Sequence, residues 1–481
     1  MKPRILNYIN GELVAAITGL YLDNYDPSTG MVYSLLPDSD GNDVESAVES
    51  ARNAFAEWSA IGAKRRSEVL LRIADLIDRD IATLAAAESV DTGKTVSLAM
   101  SLDIPRASAN LRFFATAVLH TSSETHITEG AAINYTQRAP IGIAGCISPW
   151  NLPLYLFTWK IAPALAVGCT VVAKPSELTP MTAFLFSRLC IEAGLPKGVL
   201  NIVHGVGGKV GSAIVQHPDV SAISFTGGTA TGKKIAAAAG PLFKKTSLEL
   251  GGKNPNIIFA DCDFKSAVST AIQSSFSNQG EICLCGSRIL VEKPLFETFV
   301  EEFVRQTKLL VVGDPSKKDT TVGALISATH KEKILSYIEL ARSEGGTILT
   351  GGHAVELEGR CGHGYFVAPT VIVDLDQNCR TNQEEIFGPV VTISSFENEA
   401  EAIAFANGTD YGLSATIWTE NLSRAHRVSS AIQCGIIWVN CWLLRDLRTP
   451  FGGMKQSGVG REGGTEALNF FTEMKNICIK I

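Results

Sequence analysis

The feature that most constrains the fold is an alternation of short apolar runs with helix-like segments, which starts at Ile141 and continues to about Phe451. Strand-like runs, many of them β-branched, occupy residues 141–147, 170–173, 199–203, 222–225, 257–259, 288–291, 371–373 and 436–439. Helix-like segments lie between them, notably 182–193 and 209–217. Strands that alternate with helices predict parallel, doubly wound sheets. We therefore expect two α/β lobes, the second beginning near residue 256.

The parts of the chain outside this alternation have different patterns. Apolar residues recur at helical spacing in 43–58 and 63–89, and Asp40 and Asp43 are suitable residues for the start of the first helix. A polar segment, 121–138, interrupts the first lobe, and the last residues, 470–481, alternate like an edge strand.

Length and charge limit the class of protein. A chain of 481 residues suggests two or three domains. The net charge of −7 provides no basic excess to neutralise phosphates, so we expect no nucleic-acid partner. No His-x-x-x-His pair or acidic cluster suggests a catalytic metal, and no Gly-x-Ser-x-Gly elbow suggests a serine hydrolase.

Cysteine usage and hydropathy bear on the compartment. Most of the 11 cysteines lie in apolar runs, as free thiols of a reducing compartment do. Residues 1–14 lack the apolar core of a secretion signal. The longest apolar run, 161–173, is shorter than the roughly 20 residues that a spanning helix requires. We expect a soluble, cytoplasmic protein without a membrane partner.

Two segments carry residues suited to covalent catalysis. The run 278–283, Asn-Gln-Gly-Glu-Ile-Cys, places the thiol of Cys283 in a short loop that contains glycine. The run 249–253, Glu-Leu-Gly-Gly-Lys, places the carboxylate of Glu249 before two glycines, which allow a close backbone approach to a ligand. A thiol nucleophile and a carboxylate base can hold an aldehyde covalently and then hydrolyse the product. A thiolate is needed for attack, so the site must lower the thiol pKa or supply a base.

These segments resemble the active-site segments of the NAD(P)-dependent aldehyde dehydrogenases, and the resemblance covers nearly the whole chain. It implies that Cys283, rather than Cys285, is the nucleophile, and that Glu249 activates the water that cleaves a thioester. Relatives that pass the acyl group to coenzyme A commonly lack this glutamate, so its presence favours hydrolysis and a free acid product. The resemblance also implies that Asn151, with the backbone N–H of Cys283, stabilises the oxyanion, which is worth about 3–4 kcal/mol in other acyl-transfer enzymes.

Several segments indicate a dinucleotide cofactor. A glycine-rich stretch, 205–211, follows a predicted strand and precedes a predicted helix, as a phosphate-binding loop does. The acidic Glu177, soon after the strand 170–173, would bond a ribose 2′-OH and repel a 2′-phosphate. Gly228 stands where the family usually has serine. The resemblance implies NAD as cofactor, bound by Ile147, Trp150, Lys174, Ser176, Glu177, Gly207, Phe225, Gly227, Gly228, Leu250, Gly251, Glu385 and Phe387.

The same resemblance implies the α/β architecture of the aldehyde dehydrogenase fold. A Rossmann-like NAD-binding domain is expected from residues 1–117 and 139–249, and an α/β catalytic domain from 250–450. Residues 118–138 and 466–481 are expected to form a small β element that bridges subunits of a homodimer or homotetramer.

Two arginines are the best indication of the substrate. By family position, Arg106 and Arg445 lie in segments that line the substrate entrance, where many members have apolar or aromatic residues. Paired arginines suit a substrate with a carboxylate distant from its aldehyde. The pattern resembles the branch of the family that oxidises aminomuconic and hydroxymuconic semialdehydes. The alternative is a surface role, for instance a salt bridge between Arg445 and Asp446.

Two other functions remain open at this stage. A broad-range or betaine-type aldehyde dehydrogenase shares the core motifs, although a cationic aldehyde would be disfavoured by arginines. An inactive structural relative, as in lens crystallins, shares the fold. The joint presence of Cys283, Glu249 and Asn151 argues against the inactive relative.

Overall fold

Two large sheets organise the computed structural model, which describes residues 2–481. In spatial order, the eight strands of the first sheet are Glu12–Val14, Asn7–Ile9, Leu200–Ile202, Thr170–Lys174, Ile143–Ile147, Val220–Thr226, Lys245–Glu249 and Gly458–Val459. The strands from Leu200–Ile202 to Lys245–Glu249 pair in parallel, and the others add antiparallel edges. The carboxyl ends of these parallel strands lead into the segments expected to carry the site.

The second sheet has seven strands. In spatial order they are Thr347–Thr350, Thr370–Val373, Val390–Phe396, Arg288–Glu292, Pro255–Ile258, Ser414–Trp418 and Ile436–Val439. All neighbours are parallel except the first pair, which is antiparallel. The two α/β regions expected from the sequence are therefore present as two separate sheets.

Three small antiparallel sheets complete the strands. One contains Thr125–Thr128, Ala132–Pro140 and Thr472–Lys480, with the last of these at an edge. The others pair Tyr21–Asp26 with Met31–Pro37 and Tyr411–Gly412 with Met454–Lys455. The polar segment and the alternating C-terminal segment thus belong to the same sheet.

The helices cover the faces of the two large sheets. The longer ones are Gly41–Ala60, Ala63–Arg79, Ile81–Thr92, Ile104–Ala117, Pro153–Val167, Met181–Glu192, Thr229–Ala239, Phe264–Phe276, Phe296–Thr307, Ala328–Ser343, Glu399–Asn407 and Leu422–Ala431. Shorter ones are Val96–Leu98, Ser212–Gln216, Arg380–Gln383 and Gly464–Phe470, and π turns cover Ala99–Asp103 and Gly207–Gly211.

Local sequence explains the boundaries of the first helices. Asp40 caps Gly41–Ala60 and forms a reciprocal capping box with Asp43, as expected. The helical pattern expected over 63–89 is divided into two helices at Asp80, whose φ and ψ of −99° and 17° interrupt the regular backbone.

The longest apolar run belongs to the core. Helix Pro153–Val167 buries all of its residues beneath the first sheet and against Ile104–Ala117. Within residues 2–481, no helix is both long and apolar enough to cross a membrane.

Candidate active site

Two cavities meet at Cys283. The open cavity, of about 260 Å³, is lined by Pro149, Trp150, Asn151, Thr226, Gly227, Gly228, Leu250, Gly251, Cys283, His330, Lys333, Glu385 and Phe387. The narrow channel on the other side is lined by Leu102, Leu152, Tyr155, Leu156, Thr226, Glu249, Ile282, Cys283, Leu284, Leu443, Arg445, Phe451 and Glu462. A group bound in either cavity can therefore approach the thiol.

A left-handed turn brings the Cys283 loop to this junction. After helix Phe264–Phe276, Asn278, Gln279 and Gly280 have φ values of 51°, 57° and 72°. Such backbone is costly for residues with side chains and persists where surrounding contacts impose it. A Cβ at Gly280 would lie 2.2 Å from the carbonyl oxygen of Gly388, so a side chain cannot fit there. The contact joins the cysteine loop to the segment that carries Glu385 and Phe387.

The surroundings of Cys283 oppose ionisation of its thiol. Burial raises the thiol pKa, the charges of Glu249 and Glu385 raise it further, and Arg445 acts in the opposite direction. The protein alone therefore does not lower the thiol pKa. Because attack needs a thiolate, the site must instead supply a base for the thiol proton. The Nδ2 of Asn254 holds the loop by donating to the carbonyl oxygens of Cys283 and Cys285, at 2.7 and 2.9 Å.

Glu249 is the last residue of strand Lys245–Glu249 and has a buried carboxylate on the channel wall. Its Oε1 has no hydrogen-bond partner within residues 2–481. Burial raises the pKa of Glu249 well above the ordinary value, and the nearby charge of Glu462 raises it further. A Cβ at Gly452 would lie 2.7 Å from Oε1, so glycine provides the space for this carboxylate.

Glu462 and Lys160 form a second polar group on this wall that the sequence did not indicate. The Nζ of Lys160 donates to Glu462 Oε1 at 2.9 Å and to Ser224 Oγ at 3.1 Å. Both charged side chains are buried. Nothing in local sequence marks them, because Glu462 lies far from Glu249 along the chain and reaches it only through folding.

Asn151 also faces the junction. It follows strand Ile143–Ile147 and lines the open cavity. Its Nδ2 donates to the carbonyl oxygen of Glu281 at 2.8 Å, which fixes the amide beside the cysteine loop. An amide nitrogen carries two hydrogens, so one donor remains for a ligand.

The open cavity combines an aromatic pair with the carboxylate of Glu385. Trp150 and Phe387 meet edge to face at 5.3 Å, and Glu385 Oε1 accepts a hydrogen bond from the N–H of Gly252 at 2.9 Å. The hydroxyl of Thr226, on the wall of this cavity, is buried without a partner within residues 2–481, which leaves a donor for a bound group. Gly228 precedes helix Thr229–Ala239, where free backbone N–H groups attract phosphate.

A second cluster lies at the carboxyl end of strand Thr170–Lys174. Glu177 accepts hydrogen bonds from Lys174 Nζ at 2.8 Å and from the N–H of Gly207 at 3.1 Å. Burial acts against ionisation of Glu177, but Lys174 and these hydrogen bonds outweigh it and lower its pKa. Ser176 is buried beside them. The structure therefore brings together Lys174, Ser176, Glu177 and Gly207.

Two residues expected at the cofactor, Ile147 and Phe225, belong neither to the wall of the open cavity nor to the cluster around Glu177. Ile147 and Phe225 are adjacent in the register of neighbouring strands and are packed in the core. They support the cavity from beneath, because the ring of Phe225 lies under Gly227, where a Cβ would meet it at 2.5 Å.

The two arginines expected at the substrate converge on Tyr155. Arg445 Nη1 donates to the Tyr155 hydroxyl at 2.5 Å, and the Arg106 guanidinium carbon lies 5.8 Å from the centre of the same ring. The alternative pairing of Arg445 with Asp446 is not formed, because Asp446 pairs with Arg448 at 2.5 Å. Neither guanidinium has a carboxylate partner within residues 2–481.

His330 and Tyr155 were missed by sequence reasoning. The histidines carried no motif, yet His330 lines the open cavity and its Nε2 bonds the carbonyl oxygen of Phe387 at 2.7 Å. Burial lowers the pKa of His330 to about 4, so the ring is neutral at physiological pH. For Tyr155, its position four residues after Asn151, at the start of a buried helix, was the available signal.

Comparisons with known proteins agree with this geometry. The family profile described as "Aldehyde dehydrogenase family" matches residues 16–477. The chain is 51% identical over 477 residues to a 2-aminomuconic semialdehyde dehydrogenase of Bos taurus, covering 98% of both chains. It is 46% identical over 483 residues to a 2-hydroxymuconic semialdehyde dehydrogenase of Pseudomonas sp. strain CF600, covering 99% of both.

A solved structure gives the same result for the fold. The NAD+ complex of an aldehyde dehydrogenase from Bacillus cereus matches with a TM-score of 0.97 at 39% identity, covering 99% of this chain and 97% of that one. The chain belongs to the aldehyde dehydrogenase family. The family and the fold expected from the motifs are thereby confirmed.

Proposed function

We propose that this protein oxidises a carboxylate-bearing semialdehyde to its acid, with NAD as cofactor and Cys283 as nucleophile. The observation that carries the proposal is the position of Cys283 between the open cavity and a narrow channel that contains Arg445. The relatives named for 2-aminomuconic and 2-hydroxymuconic semialdehydes support this substrate class.

The first half of the reaction uses Cys283 and Asn151. Glu249, on the channel wall, takes the thiol proton, and its raised pKa suits it to this task. The sulfur of Cys283 then adds to the aldehyde carbon and forms a thiohemiacetal. Asn151 Nδ2 and the backbone N–H of Cys283 donate to the oxyanion.

When bound, NAD would accept the hydride that leaves the thiohemiacetal carbon, and the product left on Cys283 would be a thioester. The donors around the open cavity fit this cofactor, and the related enzyme from Bacillus cereus was solved as an NAD+ complex. On this proposal, Trp150, Gly227, Gly228, Leu250, Gly251, Glu385 and Phe387 surround the nicotinamide half. Lys174, Ser176, Glu177 and Gly207 hold the adenosine half, and ionised Glu177 repels a 2′-phosphate.

The second half of the reaction is hydrolysis of the thioester. Glu249 removes a proton from water, and the oxygen attacks the carbonyl carbon, which releases the acid and returns the thiol of Cys283. A buried carboxylate with a raised pKa is a stronger base than an exposed one, which favours proton abstraction near neutral pH.

The channel favours an anionic substrate over a neutral or cationic one. Arg445 lies among the rings of Trp159 and Phe451, with its guanidinium carbon 4.9 and 4.0 Å from their centres. A guanidinium without a carboxylate partner in such surroundings gains from a substrate carboxylate. The positive charge of Arg445 disfavours a betaine-type aldehyde, which is itself a cation. The presence of Cys283, Glu249 and Asn151 together disfavours an inactive structural role.

A substrate panel tests this proposal. NADH formation is followed with aldehydes that have a distal carboxylate, such as 2-hydroxymuconic semialdehyde, and with uncharged aldehydes of similar length. We expect a higher kcat/KM for the acids. Equal kcat/KM values for both types would favour a broad-range dehydrogenase, and no NADH with any aldehyde would favour an inactive relative.

We also propose a homodimer or homotetramer. Strand Thr472–Lys480 has no partner on its outer edge within residues 2–481, and its face exposes Met474 and Ile479. An exposed apolar edge strand is a template for pairing with another chain. Light scattering during size-exclusion chromatography tests this: a mass near 51.4 kDa would contradict the proposal.

The remaining proposals concern organisation and compartment. The NAD-binding domain is assigned to 1–117 and 139–249, the catalytic domain to 250–450 and the bridging element to 118–138 and 466–481. The first sheet and the small three-stranded sheet support this division. A cytoplasmic location is supported by the absence of a disulfide among the cysteines of residues 2–481. Fractionation of cells with an antibody to the protein tests it.

A further inference from the structure

A buried group of three charged side chains lies behind the active site. The side chains of Lys94, Glu88 and Asp103 have no exposed surface. The Nζ of Lys94 pairs with Asp103 Oδ2 and lies 4.0 Å from Glu88 Oε1. Burying charges costs free energy, and ion pairs of this kind seldom increase stability over apolar residues of similar volume. A role other than stability is therefore worth seeking for this group.

The third contact of Lys94 is to the active site. Its Nζ donates a hydrogen bond to the backbone carbonyl oxygen of Asn151 at 2.9 Å. The Nδ2 of Asn278, in the cysteine loop, donates to the same oxygen at 3.1 Å. The amide of Asn151 in turn donates to the carbonyl oxygen of Glu281. Lys94 thus fixes the backbone of the residue whose side chain stabilises the oxyanion.

Burial opposes the negative charge of both acids in this group. Burial raises the pKa of Glu88 to about 8 and also raises that of Asp103. Glu88 Oε1 and Asp103 Oδ1 have no hydrogen-bond partner within residues 2–481. The Oε2 of Glu88 accepts a hydrogen bond from the N–H of Leu154 at 3.4 Å, in a segment that lines the channel. Asp103 directly follows Leu102, which also lines the channel.

The chain conformation around Asp103 links this group to the channel. Helix Ile81–Thr92 ends at Gly93, whose φ of 78° turns the chain and places Lys94 in the interior. The π turn Ala99–Asp103 then leads directly into helix Ile104–Ala117, which carries Arg106. Leu102, in the π turn, lines the narrow channel. Single π turns within helices are frequent at functional sites.

We propose that Lys94 is a positioning residue for the oxyanion donor, with Asp103 as its counter-ion. Its ammonium group holds the peptide of Asn151 at the junction of the two cavities and connects it to the segment that bears Leu102 and Arg106. The inference rests on the role proposed above for Asn151. Lys94 need not contact the aldehyde or the cofactor to have this role.

A double-mutant cycle separates this role from general structural support. Lys94→Met, Asn151→Ala and the double variant are compared by kcat, by KM for the aldehyde and by NAD affinity from protein fluorescence. We expect Lys94→Met to lower kcat about 10- to 100-fold, because small displacements of catalytic groups have effects of this size. NAD affinity should stay within twofold, and Lys94→Met should add nothing to the loss in Asn151→Ala.

Two further variants keep the test decisive. Arg72→Met removes a cation that donates to the carbonyl oxygen of Ala193, remote from both cavities, and should leave kcat unchanged. If Lys94→Met is unstable, the variant that combines Lys94→Met with Asp103→Asn takes its place in the cycle, because it removes the ammonium and its counter-ion together.

The possible failures can be told apart. Independent, multiplicative losses from Lys94→Met and Asn151→Ala would overturn the inference and leave the proposed function intact. An unchanged kcat in Asn151→Ala would overturn the role of Asn151 and, with it, that of Lys94. A loss confined to NAD affinity would also overturn the inference, because Lys94 would then act on the cofactor side.

Discussion

Arg445 and Tyr155 are joined by a hydrogen bond of 2.5 Å from Nη1 of the arginine to the tyrosine hydroxyl. This bond directs the guanidinium along the channel wall, while the rings of Trp159 and Phe451 cover its other sides. Arg106, on helix Ile104–Ala117, approaches the ring of Tyr155. The tyrosine therefore sets the spacing of two guanidiniums that lack carboxylate partners, and an anionic substrate can supply one.

Replacement of Arg445 should distinguish charged from uncharged substrates. Loss of one charge-assisted hydrogen bond costs on the order of 1.5–3 kcal/mol, so Arg445→Ala should lower kcat/KM for acid-bearing semialdehydes roughly tenfold to over hundredfold. Uncharged aldehydes should be little affected. Steady-state kinetics with both types measures the difference, and Arg106→Ala should show the same pattern with a smaller loss, because Arg106, unlike Arg445, does not line the channel.

Arg448→Ala is the matched control for this experiment. Arg448 lies in the same loop but is exposed and paired with Asp446. We expect its kcat/KM values to match those of the wild type. Equal losses for charged and uncharged aldehydes in Arg445→Ala would show that Arg445 is structural and would favour a broad-range enzyme.

Cys283→Ala should abolish NADH formation and leave NAD binding unchanged, because the sulfur that forms the covalent intermediate is lost. Cys285→Ala is the control, since Cys285 is buried and does not line either cavity at Cys283. Initial rates and cofactor titration measure both effects. Turnover above a few per cent in Cys283→Ala, together with loss of turnover in Cys285→Ala, would indicate that Cys285 is the nucleophile and Cys283 is not.

Glu249 is the proposed base of both steps, but a thiol is far more acidic than water and can also lose its proton to solvent, so Glu249→Gln should slow hydrolysis of the thioester more than its formation. Rapid mixing with aldehyde and NAD should then give a burst of about one NADH per active site, followed by a slow steady rate. Mass spectrometry of the quenched protein should detect the acyl group on Cys283. Loss of both the burst and the acyl adduct would contradict this order of effects, because formation of the thioester would then depend on Glu249 as strongly as its hydrolysis does.

The pH profile should respond to Glu462. Burial, and then the charge of Glu462, raises the pKa of Glu249, which acts as a base only when ionised. Glu462→Gln removes that charge, so the pKa of Glu249 should fall and the acidic limb of the kcat–pH profile should move to lower pH. Glu466→Gln, in the same segment but exposed, is the control. A shift to higher pH would contradict the electrostatic argument.

Cofactor choice should depend on Glu177. Its lowered pKa keeps it ionised at neutral pH, where it repels a 2′-phosphate. The wild-type enzyme should therefore prefer NAD by kcat/KM, and Glu177→Gln should narrow the preference mainly through better use of NADP. Glu192→Gln removes an exposed acid of the same lobe and serves as control. An unchanged NAD/NADP ratio in Glu177→Gln would place the discrimination elsewhere.

Much of the fold followed from local patterns. The β-branched runs predicted eight parallel strands of the two sheets within a few residues, because alternation of strands and helices is recorded in sequence neighbours. They did not predict the parallel strands Lys245–Glu249, Val390–Phe396 and Ser414–Trp418. The helical pattern over 63–89 did not show the break at Asp80, since apolar spacing continues across it. The structure brings Cys283, Glu249 and Asn151, which the motifs singled out, to the walls of the two adjoining cavities, whereas Ile147 and Phe225 lie beneath the open cavity.

The sequence by itself determined the family, the α/β architecture and the identity of the candidate nucleophile, because these depend on contiguous motifs and on periodicity. Only the tertiary structure decided which distant side chains share the site. Glu462 reaches Glu249, Lys94 reaches Asn151, and Tyr155 lies between Arg106 and Arg445. The physical reason is that burial and electrostatic coupling depend on distance in space, which strand order and helix packing set and which separation along the chain does not reveal.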